Sequence, residues 1–272
     1  MSDGCYRPPM IEARGLTKRF GELTAVAGLD LSVKQGEVFG LLGPNGAGKS
    51  TVIKMLTTLL PPSEGTATVA SFDIRRESSR VRTRIAYVPQ LVSADGSLTA
   101  EENLRLFAKL HGIPRREIGE RVKEALDFVG LLSSAKRVAR TYSGGMVRRL
   151  EIAIALIHRP LVLFLDEPTV GLDPLARQAV WKQVRALVKD RGMTILLTTH
   201  LMDEADELCG RVAIMNRGRV ATAGQPSELK ASLGRADADL DDVFAHYSGR
   251  QLEDDGNFRE IAKSRRSIAR LG

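Results

Sequence analysis

Short, near-continuous apolar runs punctuate the chain: Val33 to Leu42 with its neighbours, Arg84-Ile85-Ala86-Tyr87-Val88, Leu161-Val162-Leu163-Phe164-Leu165 and Thr194-Ile195-Leu196-Leu197-Thr198. Runs this short and this apolar, separated by helical stretches, predict strands buried on both faces of a sheet that carries helices on each side. Further strands are expected at Met10 to Leu16, Gly65 to Phe72, Arg211 to Met215 and Arg219 to Ala223, the last two joined by the turn-like Asn216-Arg217-Gly218. The early and the late ones are expected to form an antiparallel annex.

Between about residues 94 and 157 the apolar period lengthens to that of helices. Thr99-Ala100-Glu101-Glu102-Asn103-Leu104 has the form of a capped helix start, and Arg115 to Gly130 places Ile118, Val122, Leu126 and Val129 on one face. This block interrupts the strand pattern as an insertion. From about 226 strand character is lost, and helices are expected around the acidic Asp237 to Asp242 and up to the basic Lys263-Ser264-Arg265-Arg266.

With 272 residues, 43% of them hydrophobic, the chain has enough apolar material for one large α/β domain with a smaller insertion, or for two modest domains. Forty Lys and Arg against 33 Asp and Glu give a formal net charge of +7, which suits an anionic ligand, an acidic membrane surface or nucleic acid alike. Cys5 and Cys209 match neither a metal spacing nor a disulfide framework, so a reducing compartment is expected. The first nine residues lack a signal-peptide core, and no run approaches the roughly 18 apolar residues of a membrane span, so the chain is expected to be soluble by itself.

The most specific chemistry follows the run Val38 to Leu42. Gly43, Pro44, Asn45, Gly46, Ala47, Gly48, Lys49, Ser50 and Thr51 read GPNGAGKST, the phosphate-binding-loop spacing, set between a strand and a helical stretch from Ser50 to Leu59. Small residues let successive backbone N–H groups turn inward around phosphate oxygens, and the next helix presents its positive end to the same anion. Lys49 is then expected to meet the β- and γ-phosphates of ATP, Ser50 to ligate Mg²⁺ and Thr51 to back it up. Leu161 to Leu165 delivers Asp166 and Glu167. A buried strand would bring Asp166 to the Mg²⁺ shell, while Glu167, pointing the other way or lying just beyond the strand end, would reach a water near the γ-phosphate.

Thr141-Tyr142-Ser143-Gly144-Gly145-Met146 resembles the signature motif of ABC transporter ATPases, usually Leu-Ser-Gly-Gly-Gln, with Tyr142 in place of leucine and Met146 in place of glutamine. Ser143 is a good N-cap for a helix whose Val147, Leu150, Ile154 and Ile157 form one apolar stripe, and its glycines leave amides open to an anion. The resemblance covers roughly residues 10 to 245. It implies a P-loop NTPase (RecA-like) α/β core with an antiparallel β annex (about 10–93 and 158–225), an inserted α-helical subdomain (about 94–157) and a C-terminal helical extension (226–272). It further implies that Phe20 stacks on adenine, that Gln90 contacts Mg²⁺ and water and links the nucleotide to the helical insertion, and that His200 senses the γ-phosphate. Gly171, Leu172 and Asp173 would cross a dimer interface.

In such a family the signature of one subunit is presented to the nucleotide held by the phosphate loop of the other, so the resemblance implies a head-to-tail dimer, two copies of this chain sandwiching two ATP molecules. Separate chains would supply the transmembrane permease subunits and hold this chain at the cytoplasmic face of the cell membrane. The segments YSGGM, EPTVGLDP and Leu240-Asp241-Asp242-Val243-Phe244 look like ATPases of ABC-2-type exporters, particularly the daunorubicin-resistance-like multidrug branch. The groove around Leu91 to Leu110 would receive a cytoplasmic helix of the permease. The competing class, soluble ABC ATPases acting on nucleic acid or ribosomes, typically has tandem ATPase domains or a long coiled-coil insertion, and this chain has neither. Five arginines between Arg75 and Arg84 read as a solvated helix face, and the basic residues 257 to 272 as a candidate contact with lipid headgroups.

Overall fold

The computed structural model describes residues 8–247. The chain begins with a long antiparallel hairpin, β1 (Ile11–Phe20) and β2 (Leu23–Val33), then enters a second sheet as β3 (Val38–Leu42) and turns into α1 (Lys49–Leu56). It returns to the first sheet as β4 (Glu64–Val69) and β5 (Phe72–Asp73), passes through α2 (Ser78–Arg82) and re-enters the second sheet as β6 (Ile85–Val88). Three helices, α3 (Ala100–Leu110), α4 (Arg115–Phe128) and α5 (Gly144–Leu156), come before β7 (Val162–Asp166). There follow α6 (Pro174–Arg191), β8 (Thr194–Thr199), α7 (Met202–Leu208), β9 (Arg211–Asn216), β10 (Arg219–Gly224), α8 (Pro226–Ala231) and α9 (Leu240–Tyr247).

The first sheet has the order β2-β1-β4-β5 and is antiparallel throughout; the second has the order β10-β9-β3-β8-β7-β6 and is parallel except for β10. Strand alternation sorts the second sheet's side chains into two cores. Phe39, Leu41, Phe164, Leu196 and Met215 face α1 and the antiparallel sheet, where they meet Ile11, Leu29, Val52 and Leu56. Val38, Leu42, Leu163, Leu165, Ile195 and Leu197 face the other way, onto the helices, with Leu150, Val184 and Val212. Because β3, β6, β7 and β8 run parallel, their carboxyl ends open on one edge, the edge at which sheets of this kind bind ligands.

Local chemistry fixes the helical block. Thr99 and Glu102 form the reciprocal capping box at the start of α3. Ile118, Val122, Leu126 and Val129 are all buried, and each such side chain contributes about 1.5–3 kcal/mol on leaving water. Ser143 caps α5, its hydroxyl accepting from the Met146 amide at 3.3 Å. The C-terminal helices are anchored too, with Leu240 and Val243 of α9 buried in the helix-side core.

The structure corrects the sequence reading in three places. The late strands, expected in the annex, belong to the parallel sheet: β9 pairs with β3, and Val212, Ala213, Ile214 and Met215 are buried on both faces, which an annex edge would not require. Strand β2, which no clean alternation announced, pairs with β1 through register shifts that break its period. The helix over residues 50–59 is shorter and ends at Leu56. Three of the arginines around α2 bind their own chain: Arg75 donates to Pro62 O, Arg82 to Thr58 Oγ1, and Arg80 pairs with Glu77 and stacks over Phe72. Cys209 is a buried free thiol whose pKa burial pushes up, while Cys5 and the basic segment 257 to 272 lie outside the described residues. Among those residues no helix is long and apolar enough to cross a membrane.

Candidate active site

The loop after β3 packs so closely that glycine is required where it turns into α1. At Gly48 φ is 101°, and a Cβ there would lie 2.5 Å from Ala25 O on β2. The turn between β9 and β10 braces the loop, with the Gly218 amide donating to Ala47 O at 3.1 Å and the Ala27 amide donating to Gly218 O at 2.8 Å. Pro44 is half-buried, Asn45 and Gly46 are exposed, Ala47 is buried, and Thr51 is half-buried in the first turn of α1. Lys49 is buried and folds back over the loop, donating to Gly43 O at 2.7 Å and Pro44 O at 3.1 Å. Burial lowers the pKa of its ammonium, while Glu167 and Asp166 oppose that shift.

Beside this loop the ends of β6, β7 and β8 bring four more groups together. Asp166, the last residue of β7, accepts on Oδ1 from the Ser50 hydroxyl at 3.1 Å and from Thr198 Oγ1 at 2.5 Å; its Oδ2 accepts from the Tyr87 hydroxyl at 3.4 Å. Burial pushes the Tyr87 phenol up, and the charge of Asp166 adds to it. Glu167 lies just past the strand in the left-handed region, with φ of 49°. Its amide is tied to Thr198, both O and Oγ1 at 3.1 Å, so the side chain turns back over the strand ends. There Oε2 accepts from Gln90 Nε2 at 3.0 Å, while Oε1 has His200 Nδ1 at 3.1 Å and Lys49 Nζ at 3.7 Å. Glu167 and Asp166 are buried, whereas Gln90 and His200 are exposed.

Lys49, Ser50, Gln90, Asp166, Glu167 and His200 thus form one cluster. Phe20 occupies a separate position at the end of β1, 49% exposed with Lys18 Nζ 5.2 Å from its ring centre. The signature segment forms a third locus with the loop before α6. A Cβ on Gly144 would lie 3.5 Å from Leu172, and one on Gly145 would strike Ala176 at 2.6 Å, so Gly145 permits α5 to cross close to α6. Asp173 caps α6, accepting from the Ala176 amide at 2.9 Å, and Gly171 before it is exposed. Ser143 and Gly144 are exposed. Tyr142, grouped with them in the sequence as a nucleotide contact, instead turns inward: it is buried and its hydroxyl donates to Ser134 O at 2.7 Å. Met146 also packs partly against the helix-side core.

Three charged residues that pattern reading did not single out are buried around the cluster. Arg148 and Glu151, one turn apart on α5, pair at 3.1 Å. Glu204 on α7 accepts from Thr169 Oγ1 at 2.7 Å and from Trp181 Nε1 at 3.1 Å, and burial raises the pKa of its carboxyl. In the sequence each is one charge on an amphipathic helix; an i,i+3 pair beside the stripe of Leu150 and Ile154 was the only available signal for the first two.

The family described as "ABC transporter" matches residues 26–170 of this chain. The chain is 51% identical over 224 residues to the daunorubicin/doxorubicin resistance ATP-binding protein DrrA of Streptomyces peucetius, covering 82% of this chain and 68% of that one. It is 42% identical over 225 residues to the linearmycin resistance ATP-binding protein LnrL of Bacillus subtilis (strain 168), covering 83% and 72%. Its fold resembles the ATP-binding cassette MJ0796, solved as a dimer in a post-hydrolysis state bound to ADP and Pi, with a TM-score of 0.72 at 27% identity over 79% of this chain and 98% of that one. Together with the clustered phosphate loop and carboxylates, these likenesses show that the chain belongs to the ABC transporter family, as one of its ATP-binding and ATP-hydrolysing subunits.

Proposed function

We propose that this chain drives export of a drug-, antibiotic- or lipid-like compound through transmembrane permease subunits carried on separate chains, by closing as a head-to-tail homodimer around two ATP molecules. The observation that carries the catalytic part is the convergence of Lys49, Gln90 and His200 on the Glu167 carboxylate. Glu167 acts as the general base, drawing a proton from the attacking water, which Gln90 and His200 help to orient. Lys49 exchanges its loop carbonyls for β- and γ-phosphate oxygens, and the loop amides from Gly43 to Thr51 surround the same anion. Phe20, exposed and aromatic, stacks on adenine.

The donors beside Lys49 fit Mg²⁺. A hydroxyl and a carboxylate 3.1 Å apart are hard oxygen ligands, and among the described residues no group of three or more His, Cys, Asp or Glu forms a cage. Mg²⁺ is characteristically held by one or two carboxylates together with phosphate oxygens. Ser50 and Asp166, with Gln90 nearby, would hold it, and it would neutralise charge on the phosphates.

For the dimer, exposed Ser143 and Gly144 at the start of α5 offer amides to the partner's nucleotide, and Gly171 to Asp173, beside exposed Val170 and Leu175, supply the interface loop. The dimeric ADP- and Pi-bound relative supports this arrangement. For the permease, Leu91, Val92 and Leu110 are 82%, 62% and 72% exposed beside a groove lined by Tyr87, Phe107 and His111. Filling that groove with a cytoplasmic helix would hold the chain at the membrane's inner face. The resistance proteins named above support a drug-like cargo and favour export over action on nucleic acid or ribosomes.

The test is to recover tagged Glu167→Gln with ATP from gently solubilised membranes and identify what accompanies it. A stoichiometric polytopic membrane protein is the expected result. Recovery only in the soluble fraction with RNA or ribosomal proteins would overturn the exporter reading.

A further inference from the structure

Arg148 joins three segments that the fold brings together from different elements. It is 7% exposed and lies in α5, five residues after the helix-capping Ser143. Its Nη1 donates to Pro89 O at 2.8 Å, its Nε to Pro168 O at 2.8 Å and its Nη2 to Glu167 O at 3.1 Å. Pro89 precedes Gln90, and Pro168 follows Glu167. Neither proline has an amide hydrogen, so at those two residues the carbonyl is the only main-chain hydrogen-bonding group through which the backbone can be held.

The remaining contact of Nη1 is Glu151 Oε2 at 3.1 Å, and Glu151 is 3% exposed. The other oxygen of Glu151 accepts from the Ser93 amide at 2.7 Å and from the Ser93 hydroxyl at 3.2 Å, in the wall of the groove beside Leu91 and Val92. One turn of α5 therefore holds the main chain just before Gln90 and at and just after Glu167, together with the segment that borders the groove. The position of Glu167 needs such support: a non-glycine residue at φ of 49° is held there only when its surroundings over-determine it.

We propose that Arg148 is a positioning residue for Glu167 and Gln90, and that with Glu151 it forms the joint by which movement of the signature end of α5, or of the groove segment at Ser93, reaches the base. This deepens the reading above and rests on Glu167 being the general base. An α-helix moves as a unit over one turn, so a shift of Ser143 carries Arg148 with it. The planar guanidinium suits the task because its fork reaches three carbonyls and a carboxylate at once, which the point charge of lysine does not.

The experiment uses the full chain, comparing Arg148→Gln, Arg148→Lys, Glu167→Gln and Arg148→Gln/Glu167→Gln. ATP affinity is measured by equilibrium titration and turnover at saturating ATP. Arg148→Gln is expected to lower kcat about 10- to 100-fold, the loss that about 1 Å of misplacement brings, with ATP affinity kept within about threefold. Arg148→Lys, which preserves the charge beside Glu151 if the glutamine variant fails to fold, is expected to show the same split with a smaller loss. In the Glu167→Gln background the glutamine substitution is expected to lower the residual rate less than about threefold, since groups acting as a unit are not additive. Equal losses in affinity and thermal stability with kcat unchanged would show a purely structural residue and overturn the proposal, as would a full multiplicative loss in the double variant. Unchanged turnover in Glu167→Gln alone would instead remove the base on which the proposal rests, and so identifies that failure separately.

Discussion

Oε1 of Glu167 lies 3.1 Å from His200 Nδ1 and 3.7 Å from Lys49 Nζ, so one carboxylate oxygen links the end of β8 to the phosphate loop. Glutamine at this position keeps the size and an oxygen acceptor but cannot take a proton. Glu167→Gln is therefore expected to lose about 10²- to 10⁴-fold in turnover, the range for a general base, while binding ATP within a few-fold of the parent. Steady-state turnover measured beside a nucleotide titration checks this, and near-normal turnover would exclude Glu167 as the base.

Lys49→Ala separates binding from chemistry in the opposite sense. The ammonium is buried at the loop, where hydrogen bonds to charged groups contribute about 1.5–3 kcal/mol. Its removal is expected to weaken ATP binding about 10- to 100-fold, read by calorimetric titration. An unchanged affinity would mean that the lysine does not meet the phosphates.

Tyr142→Phe tests the inward position of the residue that stands where the signature usually has leucine. The hydroxyl donates to Ser134 O at 2.7 Å inside the helical layer, and losing that bond is expected to cost about 1 kcal/mol in denaturant unfolding. Turnover should stay within about twofold. A large loss of turnover at unchanged stability would place the phenol at the nucleotide instead.

The legible part of this molecule was what local pattern specifies. Buried parallel strands announce themselves as apolar runs, so β3, β6, β7 and β8 stood out, and with them the loop that carries Lys49 and the acids Asp166 and Glu167 at the end of β7, whereas Gln90 and His200 were singled out only by the family resemblance. Capped amphipathic helices were equally clear at Thr99 and Ser143. The pairing of β9 with β3 was not legible, because a short apolar run followed by a hairpin fits an annex as well as a sheet edge. Nor was the burial of Arg148, Glu151 and Glu204: a charged residue on a helix looks solvated until tertiary packing supplies carbonyls, hydroxyls or a counter-charge. Tyr142 misled for a related reason, since its motif position suggested a ligand contact while its side chain completes a core.

The stacked pair His111 and His158 offers a test of the groove wall that is independent of catalysis. The rings lie 4.0 Å apart at 7°, and His158 Nε2 lies 2.9 Å from Ile85 O, which requires a donor and so fixes the proton on Nε2 in the neutral ring. A second proton would go to Nδ1, which is buried without a hydrogen-bond partner. Burial, reinforced by His111 and Arg121, accordingly lowers the His158 pKa from 6.5 to about 4, although the bond to Ile85 opposes it. Between those values the unfolded chain binds the proton and the folded chain does not, so stability falls as pH drops through the window and is restored as pH rises. At pH 5 this cost amounts to about 2 kcal/mol, from the linkage relation for one group. His158→Gln can retain a donor for Ile85 O and carries no titrating ring. The stability lost between pH 7.5 and pH 5 should therefore be about 2 kcal/mol smaller in the variant than in the parent, as measured by urea unfolding at both pH values. Equal losses in the two proteins would mean that His158 accepts its proton in the folded state as readily as in the unfolded one.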